Sequence, residues 1–330
     1  MHLFKRQPED GLLSAEALTL LYMFITALMI LIFPILWPGS LVSHFPGDEH
    51  LVRDMWLWRA GTLLFIIAAN LVYRAFPCRA TILLRCVPLY ACLIQWYPET
   101  YAFCSTFPYQ DHLFARADEW LFGCQPALVF SRIVSSPAWS EAFHLGYYSY
   151  YYLMVAVIMF YLLWRYQEAQ KATFVFLCSF FLFYFIYEFL PVAGPQYYFQ
   201  ALGLEAVEQG DFRAIGTYFQ THYDTLPTHS TGIFSQLVTG AQEVGERPTA
   251  AFPSSHVGMS VVTMLLAWKA RNRWLFWCCM PFFLLLVFST VYIKAHYAID
   301  SLAGVVFGIG FFALSSYLWP KARNLFRLKP

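Results

Sequence analysis

Two short segments place residues capable of acid–base and nucleophilic chemistry at the ends of apolar runs. The first, AAFPSSHVG, carries Pro253, Ser254, Ser255 and His256 just before an apolar stretch. A proline and a capping serine, either Ser254 or Ser255, are typical of a helix start, where free N–H groups and the helix dipole attract an anion. Ordinary capping explains the proline and one serine, but it leaves the imidazole unexplained.

The second segment, STVYIKAHYAID, contains His296 and Asp300 four residues apart. On a helix this spacing puts both side chains on one face. The carboxylate of Asp300 then holds an imidazole N–H and stabilises the imidazolium. When this segment is considered alone, a structural His–Asp pair at the membrane interface is an equally good interpretation.

The two segments meet if the chain crosses the membrane twice between them. From His256 an apolar run leads to the basic loop KARNR, and a second apolar run leads back to His296. Ionisable groups at membrane depth are rare and usually functional. Two histidines, a carboxylate and an anion-binding helix start predict phosphoryl transfer, in which one histidine attacks phosphorus and the other protonates the leaving oxygen.

The composition predicts that lipid is the main solvent of this chain. It has 330 residues, of which 59% are hydrophobic and 12% are charged, against about 25% charged residues in soluble domains. The formal net charge of +1 gives no reason to expect a nucleic-acid partner. The first apolar stretch is too long for a signal peptide and lacks a cleavage site, so we interpret it as a retained span.

Eight apolar runs predict an all-α, polytopic transmembrane bundle of about eight spans. They cover about 14–37, 54–75, 80–97, 143–164, 172–191, 255–269, 274–293 and 297–319. The third run contains Arg85 and Pro88 and the sixth is short, so counts of six or seven are the alternatives. With eight spans, both termini and the basic short loops share one side, which the positive-inside rule makes cytoplasmic. Both histidines then face the opposite, non-cytoplasmic side.

Two long outer loops run over about 98–142 and 192–254. The first contains DHLFARADEWLFGCQPALVFSRI, whose apolar residues recur at roughly helical spacing with charges between them, so we predict a helix lying in the membrane interface. A fragment of a ninth span is the alternative. The same loop contains Cys104 and Cys124, which form a disulfide in an oxidising compartment or remain free thiols. We divide the chain into N-terminal transmembrane helices, 1–97, and a catalytic membrane domain, 98–330.

The two histidine segments resemble the second and third signatures of the type 2 phosphatidic acid phosphatase (PAP2) superfamily, P-S-G-H and S-R-x5-H-x3-D. This sequence reads PSSH and S-x6-H-x3-D, and the resemblance implies a PAP2-like core in the C-terminal two-thirds. It implies that His296 is the nucleophile that forms a phosphohistidine and that His256 protonates the leaving group. It also implies that Asp300 orients His296 and that Ser254 binds phosphate. No carboxylate cluster indicates a metal site, and this mechanism needs no cofactor.

The sequence departs from these signatures mainly in its positive charges. Ser255 replaces a glycine whose N–H holds phosphate, Thr290 stands where the family has an arginine, and a K-x6-R-P first signature is missing. Lys294 and Arg247 are candidates to supply the missing charge, or are ordinary interfacial residues. Gln196 is a further candidate donor to the phosphate oxygens.

Two other stretches, YEFLPVAGPQYYF and ADEWLFGCQP, resemble the superfamily's inositolphosphotransferase branch, of the inositol phosphorylceramide synthase type. The resemblance implies a lipid phosphatase or phosphotransferase that acts on a phospholipid or an isoprenoid phosphate, with water or a lipid alcohol as acceptor. Transfer of inositol phosphate to a ceramide-like sphingolipid precursor is the more specific version. A non-catalytic lipid-binding protein or a transporter that retains the fold is the alternative.

A few more polar or small residues lead to separate expectations. Glu188 contacts a substrate head group, pairs with a basic residue, or lies at the water interface. His222 and His229, in the second long loop, are predicted to be solvated rather than catalytic. Gly304 and Gly308, four residues apart in the last run, predict close helix packing.

Overall fold

A computed structural model describes residues 11–42, 45, 48, 50–227 and 231–326 of the chain. Within these residues it contains helices and no strand, so the predicted all-α class is confirmed. The helices are α1 (Ser14–Leu36), α2 (Leu51–Ala75), α3 (Arg79–Cys104), α4 (Asp111–Phe122), α5 (Pro126–Ile133), α6 (Pro137–Trp164), α7 (Tyr166–Phe189), α8 (Pro195–Leu202), α9 (Leu204–Glu208), α10 (Ile233–Gly245), α11 (Ser255–Lys269), α12 (Arg273–Tyr292) and α13 (Ala298–Phe326). His229 lies outside the described residues.

Seven of these helices, namely α1, α2, α3, α6, α7, α12 and α13, are long and apolar enough to cross a membrane. The chain is therefore an integral membrane protein. The predicted sixth span is the fifteen-residue α11. At 1.5 Å per residue α11 is about 22 Å long, whereas the hydrocarbon core of a bilayer is about 30 Å thick.

The short helix α11 lies at the centre of the bundle, where it packs against α6, α7, α12 and α13. Its closest neighbour is α13. A Cβ atom added to Gly304 would lie 2.6 Å from the carbonyl oxygen of Ser254, and one added to Gly308 would lie 2.5 Å from that of Gly258. The predicted close packing at Gly304 and Gly308 is confirmed, and it holds the starts of α11 and α13 side by side.

Replacing Gly308 by alanine should destabilise the protein by about 1–3 kcal/mol, because the added methyl group forces two backbones apart. Gly310 lies on the same helix, and an added Cβ there meets no atom within 4 Å. Gly310→Ala should therefore be neutral or slightly stabilising. Apparent melting temperatures of the two detergent-solubilised variants test this prediction. Equal values would contradict the close contact.

The three N-terminal spans are joined by buried ion pairs. Arg85, which interrupts the third apolar run, pairs with Glu16 of α1 at 2.5 Å. Arg59 of α2 pairs with Glu99 of α3 at 2.7 Å. Both pairs are almost completely buried, which explains how a span accommodates an arginine, since a charge at membrane depth requires a partner.

Glu188, near the end of α7, is fully buried and accepts a hydrogen bond from the Tyr22 hydroxyl of α1 at 2.9 Å. The expectation that it lies at the water interface is therefore wrong. The hydrogen-bond partner of Glu188 is the Tyr22 phenol, and no basic side chain among the described residues forms an ion pair with Glu188.

The two long loops are folded and cover the histidine end of the bundle. The stretch DHLFARADEWLFGCQPALVFSRI is helical but forms two helices, α4 and α5, because Gly123 ends α4 in a left-handed conformation with φ of 66°. Its position in the membrane interface stays a prediction. The second loop contains α8, α9, a short 3-10 turn and α10. Apolar residues of these segments form a second hydrophobic core with the residues that precede α11 and α13. Cys104 and Cys124 are free thiols, so the disulfide alternative is wrong. The Cys104 sulfur instead lies 2.9 Å from the hydroxyl oxygen of Thr249.

Candidate active site

His256 and His296 meet, as the two crossings of the chain predict. Nδ1 of His256 lies 3.3 Å from Nε2 of His296. His256 is the second residue of α11, and His296 lies in the short segment between α12 and α13. The two ring centroids are 5.5 Å apart with planes at 64°. The rings therefore do not stack, and the two nitrogens face each other.

The tautomer of His296 is set by the backbone. Its Nδ1 lies 2.8 Å from the carbonyl oxygen of Ala251. Because a carbonyl only accepts, Nδ1 carries the proton and Nε2 keeps the lone pair that faces His256. Burial lowers the pKa of His296 to about 4, so the ring is neutral at neutral pH. This is the form of an imidazole that attacks phosphorus.

Asp300 does not hold His296 in the way that the sequence spacing predicts. Its Oδ2 lies 3.8 Å from Nδ1 of His296, which is too long for a hydrogen bond. The same oxygen accepts from the backbone N–H of Tyr297 at 2.8 Å. The physical reason is that α13 begins at Ala298, so His296 precedes the helix and the two residues do not share a helical face. Asp300 Oδ1 has no hydrogen-bond partner among the described atoms.

The start of α11 is tied to the start of α13 through Ser254. Its hydroxyl oxygen accepts from the N–H of Val257 at 3.3 Å, which makes Ser254 the N-cap. Its own N–H donates to the carbonyl of Asp300 at 3.0 Å. Ser255 is the first residue of the helix and faces the hydroxyl of Tyr187. The positive end of the α11 dipole therefore lies beside His256.

Two tyrosines of α6 enclose His256. The ring centroid of Tyr147 lies 4.6 Å away at an interplanar angle of 28°, and that of Tyr150 lies 4.5 Å away at 47°. The negative faces of aromatic rings favour a cation, whereas burial and the neighbouring His296 lower the pKa of His256 to about 3, so protonation of this ring requires an anion such as phosphate beside it. Neither tyrosine is among the site residues predicted from the sequence, although the run YYSYYY at the start of the fourth predicted span is an available signal.

Two buried aspartates of α4 hold the segments around the histidines. Asp111 accepts from the N–H groups of Ala193 and Gly194 at 2.9 and 2.8 Å. Asp118 accepts from the first two N–H groups of α13 at 2.8 and 2.9 Å. Gly194 must be a glycine, because its φ is 96° and an added Cβ would lie 2.6 Å from the carbonyl oxygen of Ala295. Neither aspartate is predicted from the sequence to be a positioning residue.

The family model described as the PAP2 superfamily matches residues 112–314. The chain belongs to the PAP2 superfamily. The match extends from α4 into α13 and includes both histidines and Asp300. Membership makes this a membrane protein of the phosphatase type, while the inositolphosphotransferase branch stays a prediction. Comparison with curated proteins and with solved structures found no match.

In this PAP2 protein, Arg247 is already engaged by another residue. Its guanidinium pairs with Asp48 at 3.2 Å and lies over the ring of Phe45, 3.8 Å from the centroid. At the position of the PAP2 arginine, the Thr290 hydroxyl lies 2.9 Å from that of Ser301. The charge of Arg247 is therefore paired and Thr290 carries none, so neither residue presents an unpaired positive charge to the histidines.

Lys294 and Gln196 line a cavity of about 710 Å³. Neither PAP2 histidine lines it, but Lys294 precedes His296 by two residues in the chain. Burial and the neighbouring Arg132 lower the pKa of Lys294, and no ion pair to it occurs in the described part of the chain. The Gln196 amide donates to Glu246 at 2.9 Å. Glu246 also accepts from the hydroxyl of Tyr147 at 2.7 Å, so this carboxylate connects the cavity to the ring that stacks on His256. Phosphate binding by Lys294 and Gln196 stays a prediction.

The buried neutral His296 predicts a pH dependence of stability. Its pKa is about 4 in the folded protein and about 6.5 in an unfolded chain. The unfolded chain binds more protons between these values, so the free energy of unfolding should fall by about 3 kcal/mol as the pH decreases from about 6.5 to 4. His296→Gln keeps a donor for Ala251 but does not titrate, so it should lose this part of the decrease. Melting curves of both proteins at pH 7 and about pH 4.5 test it, and an identical fall in both would contradict it.

Proposed function

We propose that this PAP2 protein cleaves a phosphoester of a membrane lipid through a phosphohistidine intermediate on His296. The observation that supports this best is the approach of His256 Nδ1 to His296 Nε2 at 3.3 Å. The His296 imidazole carries its proton on Nδ1, the nitrogen that faces Ala251 and not His256. The His256 imidazole is enclosed by aromatic rings, whose faces favour a cation. The nitrogens of a nucleophile and an acid thus lie within hydrogen-bonding distance of each other, and a bound phosphoryl group would separate them.

In the first step, Nε2 of His296 attacks phosphorus, and the bond from phosphorus to the leaving oxygen breaks. Protonated His256 gives its proton to that oxygen, so the leaving group departs as an alcohol. The Ala251 carbonyl keeps its hydrogen bond to Nδ1, and the nearby carboxylate of Asp300 balances the positive charge that develops on His296. The N-terminus of α11 stabilises the phosphoryl oxygens.

In the second step, His256 is neutral and accepts the proton of the acceptor. The acceptor oxygen attacks phosphorus, the phosphorus–nitrogen bond breaks, and His296 returns to its neutral form. Water as acceptor makes the protein a phosphatase, and a lipid alcohol makes it a phosphotransferase. The described side chains serve both outcomes, because the same base activates either acceptor.

The cavity that Lys294 and Gln196 line supports a polyhydroxylated head group as the more specific proposal. Its lining combines hydroxyl, amide, carboxylate and cationic groups, among them Ser140, Glu141, Thr225, Gln242 and Lys294. Alternating donors and acceptors suit a ring of hydroxyls, and a lysine beside the site suits a phosphate. Inositol phosphate transferred to a ceramide-like lipid fits this description, and an isoprenoid phosphate, which lacks such hydroxyls, fits it less well.

We also propose that the histidine site faces the non-cytoplasmic side and that both termini are cytoplasmic. The support is that basic residues in or next to the connections α6–α7 and α11–α12, namely Arg165, Lys171, Lys269 and Arg271, lie at the end of α11 opposite His256. Positive charge of this kind is typical of the cytoplasmic side. The division of the chain at residues 97 and 98 stays a prediction.

Product analysis with purified protein in mixed micelles tests the proposed function. Phosphatidate, phosphatidylinositol and phosphatidylcholine are each supplied with and without ceramide or diacylglycerol, and free phosphate, water-soluble phosphorylated head groups and new phospholipid are quantified together. Free phosphate from phosphatidate, or a phosphorylated head group from the other two lipids, indicates transfer to water when no lipid acceptor is needed, and acceptor-dependent phospholipid indicates a transferase. If folded protein yields none of these products, the proposal is contradicted and the non-catalytic alternative is favoured.

A further inference from the structure

A second cavity, of about 520 Å³, lies at the end of α11 that is opposite the histidines. Its floor is formed by the last turn of α11 and its walls by α6, α7 and α13. His256 and Lys269 are thirteen residues apart on α11, which is about 20 Å along the helix axis. This cavity is therefore separate from the proposed reaction.

The rim of this cavity carries an excess of positive charge. Arg165, Lys171, Lys269 and Arg271 line it, against one carboxylate, Glu168. Arg165 is engaged, because its guanidinium donates to the carbonyl of Ala270 at 2.7 Å and lies 3.5 Å from Glu168. The other three cations form no hydrogen bond or ion pair within the described part of the chain. Three cations thus converge on one recess without an anionic partner.

The interior of the same cavity is apolar on the side that faces the bundle. Ala172 and Val175 of α7, Leu266 of α11 and Phe312 of α13 line it. α11 ends at Lys269 and is about 8 Å shorter than the hydrocarbon core of a bilayer is thick. Cations at a rim above apolar walls match an anionic group that carries hydrocarbon chains.

We propose that this cavity binds the head group of an anionic phospholipid from the leaflet on its side of the membrane. The phosphate contacts Lys171, Lys269 and Arg271, and the acyl chains lie along α7 and α13. Basic pockets between transmembrane helices bind anionic head groups in this way. The lipid fills the cavity at the end of the short central helix, and the proposal does not depend on the proposed function.

Lipid binding to the purified full-length chain tests the proposal. Native mass spectrometry titrates phosphatidylglycerol and phosphatidylcholine, in a His296→Ala background so that no lipid is consumed. We expect phosphatidylglycerol to bind more tightly. The double variant Lys269→Gln/Arg271→Gln should weaken that binding about 25-fold, at about fivefold for each cation removed. Arg273→Gln is the matched control, because Arg273, the first residue of α12, is two residues from Arg271 but does not line the cavity.

A second variant and a soluble ligand keep the test decisive. Lys171→Gln, on α7, should weaken phosphatidylglycerol binding about fivefold without altering the α11–α12 loop. The proposal is wrong if both lipids bind equally, if the lining variants match Arg273→Gln, or if glycerol 1-phosphate binds as tightly as phosphatidylglycerol. The last result would show a site for a soluble anion instead of a lipid.

Discussion

His296→Ala should reduce kcat by roughly 10⁴-fold or more, because it removes the nitrogen that forms the bond to phosphorus. The variant leaves His256 and the start of α11 in place, so substrate binding should change far less than turnover. Turnover is measured with the phospholipid that gives the fastest reaction in mixed micelles. His222→Ala is the matched control, since His222 is exposed and stacks on Tyr218 away from the site.

Trapping of the intermediate makes this prediction specific to the nucleophile. A substrate labelled at phosphorus should leave an acid-labile, alkali-stable label on the unmodified chain, as expected of a phosphorus–nitrogen bond. The label should be missing from His296→Ala and present in His222→Ala. A label that persists in folded His296→Ala would assign the nucleophile to another residue.

His256→Ala should reduce turnover of a lipid substrate by about 10²–10⁴-fold, because the alkoxide leaving group then departs without a proton. The loss should be much smaller for a p-nitrophenyl phosphodiester, whose acidic phenol leaves readily as the anion. The comparison needs no second variant, since one protein is tested on two leaving groups. Equal losses on both substrates would contradict the role of His256 as the acid.

The meeting of the two histidines was predictable because it depends only on the number of membrane crossings between them. A basic loop of a few residues between two apolar runs returns the chain to the same face, whatever the details of packing. Whether Asp300 forms a hydrogen bond to His296 was not predictable to the same degree. It requires the first residue of α13 to be known to within a turn, and helix ends are the least certain part of a sequence-based assignment.

Contacts between residues that are distant along the chain account for the remaining differences. Arg247 was a candidate for the phosphate clamp, but Asp48, almost two hundred residues earlier, pairs with it. Tyr147 and Tyr150 face His256 because α6 packs beside α11, and no local pattern indicates which helices become neighbours. The length of α11 was visible as a short apolar run, although its central, buried place was not.

The hydrogen bond from His296 to Ala251 has a consequence for how the protein tolerates genetic change. In enzymes that orient a histidine with a carboxylate, one codon change removes the orienting group. Here the acceptor is a peptide carbonyl, which every amino acid supplies, so substitution at position 251 leaves the acceptor atom in the chain. The path of the backbone thus sets the tautomer of His296, the proposed nucleophile. Only substitutions that move the carbonyl of residue 251 can change that tautomer.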